Sequence, residues 1–413
     1  MMAQKSKHIR YKVIDLFSGC GGLSLGLHMS KGEGCSFETV AAVDVWGAAC
    51  DTFQQNFFHD LDSRSVPIFR EGLTPEVIAK LKRKFGVQKI DLLVGGPPCQ
   101  GFSSSGKRAL DDPRNHLVLM YLKAIQELQP KAFLMENVVG FTTFQGGTIC
   151  SEVIEEARRS GYEVFPAILQ ASLYGVPQRR RRFVMIGVRS GRFSWPDFVD
   201  AETGKSIRGS LSEFWPGKNG PNKLYIQQIP EGFSEVSFGA ATADLPSVKS
   251  GQQSQTYRKV RKSNWFLDHV TKKAPSELTW HQSSDHADYL VKMMGELEQG
   301  MSAFELPPAK ASQVGKKPFR PKTGFSNSYK RIERDKPAPT ITRNFTTPSS
   351  ANCIHPTDDR ALTPREGARA QSFPDSYKFA GSSTEVRLQI GNAVPPLLAK
   401  ALGEAIMRNL RSS

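Results

Sequence analysis

Short apolar runs alternate with amphipathic stretches through the first half of the chain. Residues 12–17 (KVIDLF) read as a buried strand, followed by a glycine turn and a helix to about residue 29. Residues 39–45 (TVAAVDV) predict a second strand, and 46–57 the helix after it. Further strands are expected at 90–94, 132–136, 164–171 and 183–188, with helices near 75–85, 115–128 and 151–160. Apolar strands separated by amphipathic helices predict a doubly wound, mainly parallel α/β sheet. Past residue 189 the pattern breaks. The stretch 190–350 is rich in Gly, Pro, Ser, Lys and aromatic residues, has little periodicity, and reads as a second, smaller, irregular domain. Residues 395–410 restore a helical apolar face, with Pro395 and Pro396 near the helix start, where a missing N–H costs little.

Composition narrows the class. A chain of 413 residues with 39% hydrophobic and 23% charged residues is globular and too long for one small core. No apolar run approaches the roughly 18–20 residues that span a bilayer, and none follows the basic N-terminus as in a secretory signal. A cytoplasmic protein without membrane contact is therefore expected. The six cysteines (20, 35, 50, 99, 150, 353) form no CxxC pair, which argues against a zinc site and a disulfide framework. The net charge of +15 favours a polyanionic partner, although charge alone also serves solubility.

Candidate chemistry gathers where strands are expected to end. The turn Asp15-Leu-Phe-Ser-Gly-Cys-Gly-Gly22 follows a strand and opens a helix, so its glycines let a ligand approach and free N–H groups favour a negative one. Asp44 ends the next strand, where an acid accepts hydrogen bonds from ribose hydroxyls. For this turn alone, a dinucleotide and S-adenosylmethionine stand about even. Phe17 and Trp46 either face an adenine or fill the core. The run GGPPCQGFS puts Cys99 at a strand's carboxyl end, behind two prolines that stiffen the approach. Alone, such a cysteine is more often packing than nucleophile. Glu136-Asn137-Val138 ends the following strand, and Gln178 opens a run of four arginines in which strand alternation puts Arg180 and Arg182 on one side.

Taken in order, these stretches resemble the C5-cytosine DNA methyltransferase family. DLFSGCGG resembles its cofactor loop, GGPPCQGFS its catalytic motif, ENV its glutamate motif and QRRRR its paired-arginine motif. RALTPREGARAQSFPDSYKF (360–379) and QIGNAVPPLLAKAL (389–402) resemble its last two motifs. The resemblance implies a Rossmann-like adenosylmethionine-dependent methyltransferase sheet. A catalytic and cofactor domain would span 1–188, completed by 389–413. A target-recognition domain would span 189–388, with 190–330 variable.

The resemblance also implies a site. Cys99 would add to C6 of a flipped-out cytosine, Glu136 would bind its N3 and exocyclic amine, and Arg180 and Arg182 would support base and thiol. Phe17, Gly19, Gly21, Gly22, Asp44, Trp46, Pro97 and Asn392 would form the S-adenosylmethionine pocket. Glu71 would stand in for an aspartate that the family usually carries. Ser103 and Arg114, in a loop resembling the one that closes over the base, would contact DNA together with Asn137 and Gln178. No metal is implied. The partner would be double-stranded DNA, bound by a monomer at the nucleoid, with a cognate restriction endonuclease acting separately. The family's tRNA-methylating branch is the alternative, and the long segment with RKVRK (258–262) speaks for DNA.

Overall fold

The computed structural model describes residues 8–57, 66–98, 116–214, 224–307, 310, 328–349 and 352–412. In chain order the elements of the main body are β1 (Ile9–Leu16), α1 (Gly22–Met29), β2 (Cys35–Val43), α2 (Gly47–Phe57), β3 (Ile68–Phe69) and α3 (Pro75–Phe85). Then come β4 (Leu92–Gly95), α4 (His116–Leu128), β5 (Ala132–Val138), α5 (Thr148–Arg159), β6 (Glu163–Gln170), β7 (Gln178–Arg179) and β8 (Arg181–Val188). The bounds of α3 follow from local chemistry. Thr74 accepts a hydrogen bond from the Val77 N–H, Pro75 occupies the first turn, and Gly86 ends the helix at φ 83°.

Among the described residues the central sheet has nine strands. Its order runs from the strands Ser210–Phe214 and Leu224–Gln228 through β6, β8, β5, β4, β1, β2 to β3. From β3 to β5 every neighbouring pair is parallel. Its central strands are apolar on both faces because helices cover both sides: Leu92, Leu93, Val94, Phe133, Leu134 and Met135 are all fully buried. β8 runs antiparallel between β5 and β6. A parallel return needs a crossover of a dozen or more residues, and the connection 171–180 is too short for one.

The strand Leu224–Gln228 and the edge strand Ser210–Phe214 beside it lie in the stretch that reads as irregular. They are short, and polar residues are interspersed with apolar ones, so they leave little signature in sequence. The aromatic residues of that stretch are packed. Phe198 and Phe266 join the core on the α1 side of the sheet, and Phe238, Ile332 and Phe345 join Phe53 and Phe57 of α2.

The C-terminal helix Pro396–Ser412 lies against α1. Small residues permit the close approach: a β-carbon on Gly26 would overlap the Pro396 carbonyl, and one on Gly403 would overlap Ser30. Ser30 Oγ spans the interface, donating to Gly26 O at 3.0 Å and Lys400 O at 3.1 Å. This contact brings 389–394 to the start of α1, where Gly22 has no room for a side chain beneath the Val394 carbonyl. Among the described residues no helix is long and apolar enough to cross a membrane.

Candidate active site

A cavity of about 540 Å³ opens at the carboxyl ends of β1, β2, β4 and β5. Open α/β sheets bind ligands at this edge because the loops diverge there and helix N-termini point toward it. Of the residues expected at the site, Phe17, Gly19, Gly22, Asp44, Trp46, Glu71, Pro97, Glu136, Asn137, Arg180, Arg182 and Asn392 line it. Pro98 lines it as well. Cys99, Ser103 and Arg114 lie outside the described residues.

At one end the backbone turns sharply out of β1. Phe17 adopts φ 57°, a left-handed conformation that costs energy for a residue with a side chain, and Gly19 and Gly21 follow at 53° and 87°. Asp44 braces this loop: its Oδ2 accepts from Gly19 N–H at 2.7 Å and its Oδ1 from Trp46 N–H at 2.8 Å. Burial pushes its pKa up while these N–H groups pull it down, and the net shift is upward. Two of the loop's N–H groups are taken up within the protein. Gly19 donates to Asp44, and Gly21 donates to Ser18 O at 2.9 Å. Gly21 also lies off the cavity, where its missing side chain makes room for Phe53, Phe57 and Tyr377.

Two polar atoms at this end lack partners among the described residues. Ser18 Oγ and Gln389 Oε1 are both buried, and both residues line the cavity. A buried polar atom without a partner costs on the order of 1–3 kcal/mol, so such atoms mark places that a ligand completes. Neither was singled out in the sequence, since one polar residue in a loop or helix carries no period. Glu71 reaches the same end from the loop after β3, held by Lys80 at 2.8 Å.

At the other end stand a carboxylate and two arginines. β5 and β8 are antiparallel, with Glu136 opposite Val184 and Val138 opposite Arg182. Glu136 and Arg182 are therefore diagonal neighbours on one face, and Arg182 Nε lies 2.9 Å from Glu136 Oε1. Asn137 joins two strand ends, donating through Nδ2 to Pro97 O at 3.2 Å.

Arg180 is a buckle. It precedes β8 and is almost fully buried, and it donates to Ile341 O at 3.0 Å and Gly391 O at 3.3 Å. Burial, then the neighbouring Arg182, pushes its pKa well below that of an ordinary arginine. Its guanidinium thus ties two distant segments together, while its Nε is buried without a partner among the described residues and the residue lines the cavity. Gln178, expected at DNA, is fully buried and does not reach the cavity. Its amide donates to Ala370 O and Gln371 Oε1 and accepts from Ile341 N–H at 2.8 Å. Such a side chain positions backbone and is closed to nucleic acid. Arg343, not anticipated from the sequence, also lines the cavity.

The sheet, with its antiparallel β8, and the carboxyl-edge cavity define a methyltransferase-type α/β enzyme. The chain belongs to the C-5 cytosine-specific DNA methylase family, whose model matches residues 11–408. It is similar to the type II methyltransferase M1.HphI of Haemophilus parahaemolyticus, at 30% identity over 96% of this chain and 86% of that one. It is similar to the type II methyltransferase M.XorII of Xanthomonas oryzae pv. oryzae, at 32% identity over 96% and 85%. Among solved structures it resembles a prophage-encoded protein of E. coli described as a DNA modification methyltransferase. The TM-score is 0.68 and the identity 26%, over 97% of this chain and 99% of that one.

Proposed function

We propose that this DNA cytosine methyltransferase takes its methyl group from S-adenosylmethionine and places it on C5 of a cytosine flipped out of a specific duplex sequence. The observation that carries the reading is the Glu136–Arg182 pair, set at the far end of the same cavity as the Asp44-braced loop. The residues present fit that cofactor. Asp44 keeps lone pairs for ribose hydroxyls, Phe17 and Trp46 offer faces for an adenine, and Ser18 and Gln389 offer buried polar atoms for the charged amino-acid end. Asn392 and Glu71 border the same space. Bound there, S-adenosylmethionine supplies an electrophilic methyl group.

The protein's own part is to make C5 nucleophilic. The Cys99 thiolate adds to C6, forming a carbon–sulfur bond and shifting electron density to C5. Glu136, oriented by Arg182, accepts from the exocyclic amine and shares a proton with N3, which holds the base in place. Once C5 is methylated, its proton leaves to a base through water, the C5–C6 double bond reforms and the thiolate departs. No atom inside a duplex can reach this site, so the cytosine must leave the stack, at a few kcal/mol. Ser103 and Arg114 would contact the DNA around it. The segment 190–330 would read the sequence. Relatives named as type II methyltransferases support a separate cognate restriction endonuclease. The enzyme would act as a monomer on nucleoid DNA in the cytoplasm.

The test is transfer of tritiated methyl from S-adenosylmethionine to unmethylated plasmid, with tRNA in parallel. Label should enter plasmid alone, and Cys99→Ala should abolish it while cofactor binding survives. Full transfer by Cys99→Ala would end the nucleophile assignment, and label in tRNA alone would end the duplex assignment.

A further inference from the structure

Among the described residues three arginines line the cavity, and two of them already hold protein partners. Arg180 is buried against the Ile341 and Gly391 carbonyls, and Arg182 faces Glu136. Arg343 differs. Its side chain is exposed, and it has no hydrogen bond or ion pair among the described residues.

Its backbone, by contrast, is held firmly. Ala338 and Pro339 pair with Gln178 and Arg179. Thr340 Oγ1 donates to Arg179 O at 3.0 Å, and Ile341 is gripped on both sides, its N–H by Gln178 and its carbonyl by Arg180. Gly391 then closes over the strand: a β-carbon there would come within 2.7 Å of Arg343 N. The neighbouring Asn344 accepts from Arg387 at 3.2 Å. A rigid backbone that presents an uncommitted guanidinium at a cavity wall is the arrangement expected of an anion-binding group, because little ordering remains to be done on binding.

Two anions reach this cavity on the proposed function, the cofactor's carboxylate and the DNA backbone. The charged amino-acid end of the cofactor has buried, unpartnered atoms ready for it at Ser18 and Gln389. Arg343 is exposed, so it meets a ligand that arrives from outside. A base drawn into the cavity carries its flanking phosphates to the mouth, and arginine matches phosphate with two parallel N–H donors.

We infer that Arg343 grips the backbone phosphate beside the nucleotide drawn into the cavity, and so holds the extruded base in register with Glu136. This rests on the function proposed above.

The test uses the full chain, unmethylated plasmid and tritiated S-adenosylmethionine. Arg343→Ala should raise KM for DNA about tenfold, as expected for one charge-assisted phosphate contact. The slope of log KM for DNA against log salt should fall by about one, and KM for S-adenosylmethionine should not move. Arg343→Lys, which keeps the charge without the fork, should recover most of the salt slope and only part of the affinity. An unchanged KM and slope for DNA would overturn the inference. So would a raised KM for S-adenosylmethionine alone, which would assign Arg343 to the carboxylate. If the unsubstituted chain methylates no DNA, the proposed function fails and takes this contact with it. If it does methylate and Arg343→Ala matches it, the contact alone fails.

Discussion

Arg182–Glu136 and Arg369–Asp375 are both arginine–carboxylate pairs, at 2.9 and 2.6 Å, yet their surroundings differ completely. Arg369 and Asp375 are sealed from solvent, and their partners are complete. Asp375 takes two donors from Arg369, one from Arg365 and one from Tyr257, while Arg369 also reaches both oxygens of Asp244. A similar set lies nearby, where Arg360 forks onto both Glu366 oxygens at 2.7 and 2.8 Å. At the cavity, Glu136 keeps about a tenth of its surface open, and its Oε1 lacks a well-aligned hydrogen bond despite the nearby guanidinium. A fully satisfied ionic network holds segments together, whereas an incompletely satisfied one at a cavity is arranged for a substrate.

The sharpest way to break this comparison is to neutralise each acid or base in turn. Glu136→Gln keeps the shape but loses the charge that fixes the base, and should lower kcat by roughly 10²–10⁴-fold. The urea midpoint should barely move. A large loss of stability with kcat intact would give Glu136 the scaffolding role instead. Arg369→Met should do the reverse. Removing one member of a buried ionic set leaves Asp375 and Asp244 uncompensated, at about 3–5 kcal/mol in urea denaturation. Methyl transfer per folded molecule should stay near that of the unsubstituted chain.

A third, smaller effect separates carboxyls by the sign of their pH dependence. Burial alone would raise the pKa of Glu366, but Arg360 and His355 hold it well below the ordinary carboxylate range. Asp375 is lowered in the same way, with Arg369 overcoming burial. These groups bind fewer protons folded than unfolded, so the stability they supply is complete above about pH 4 and is lost as pH falls toward the folded values.

Asp15 is opposite. Among the described residues it has no cationic partner, only Ser24 Oγ at 2.6 Å, and burial, with a smaller push from Asp44, raises its pKa to about 7. It binds its proton more tightly folded, so stability declines as pH rises from about 4 through about 7. Asp15→Asn should flatten that decline, with a gain on the order of 1–3 kcal/mol at pH 8. Urea titrations at pH 5 and pH 8 would measure it, and an unchanged pH slope would show that Asp15 ionises freely in the fold.

Much of the site was legible because its residues sit where chain-local rules put them. Asp44 and Glu136 end apolar strands, and the carboxyl-edge rule brings both to one cavity. The helix expected near 75–85 is present over those residues, and its cap, proline and glycine are local to it. Gln178, which the resemblance places at DNA, is enclosed by the segments around 341 and 370, and no local pattern shows that closure. Ser18 and Gln389 were invisible as site atoms, since what distinguishes them is a missing partner. Arg343 was hidden for the same reason, one cation among many in a basic chain.

By itself, the sequence determined the alternation of strands and helices, the parallel α/β class and the set of side chains with chemistry to offer. These depend on neighbours a few residues away, through periodicity, caps and turns. Only the tertiary structure decided which polar groups are used up and which are left over. Gln178 is spent on a carbonyl 192 positions along the chain, and Gly22 is enclosed by Val394. Such pairings form when distant segments pack, and no local pattern of residues encodes them.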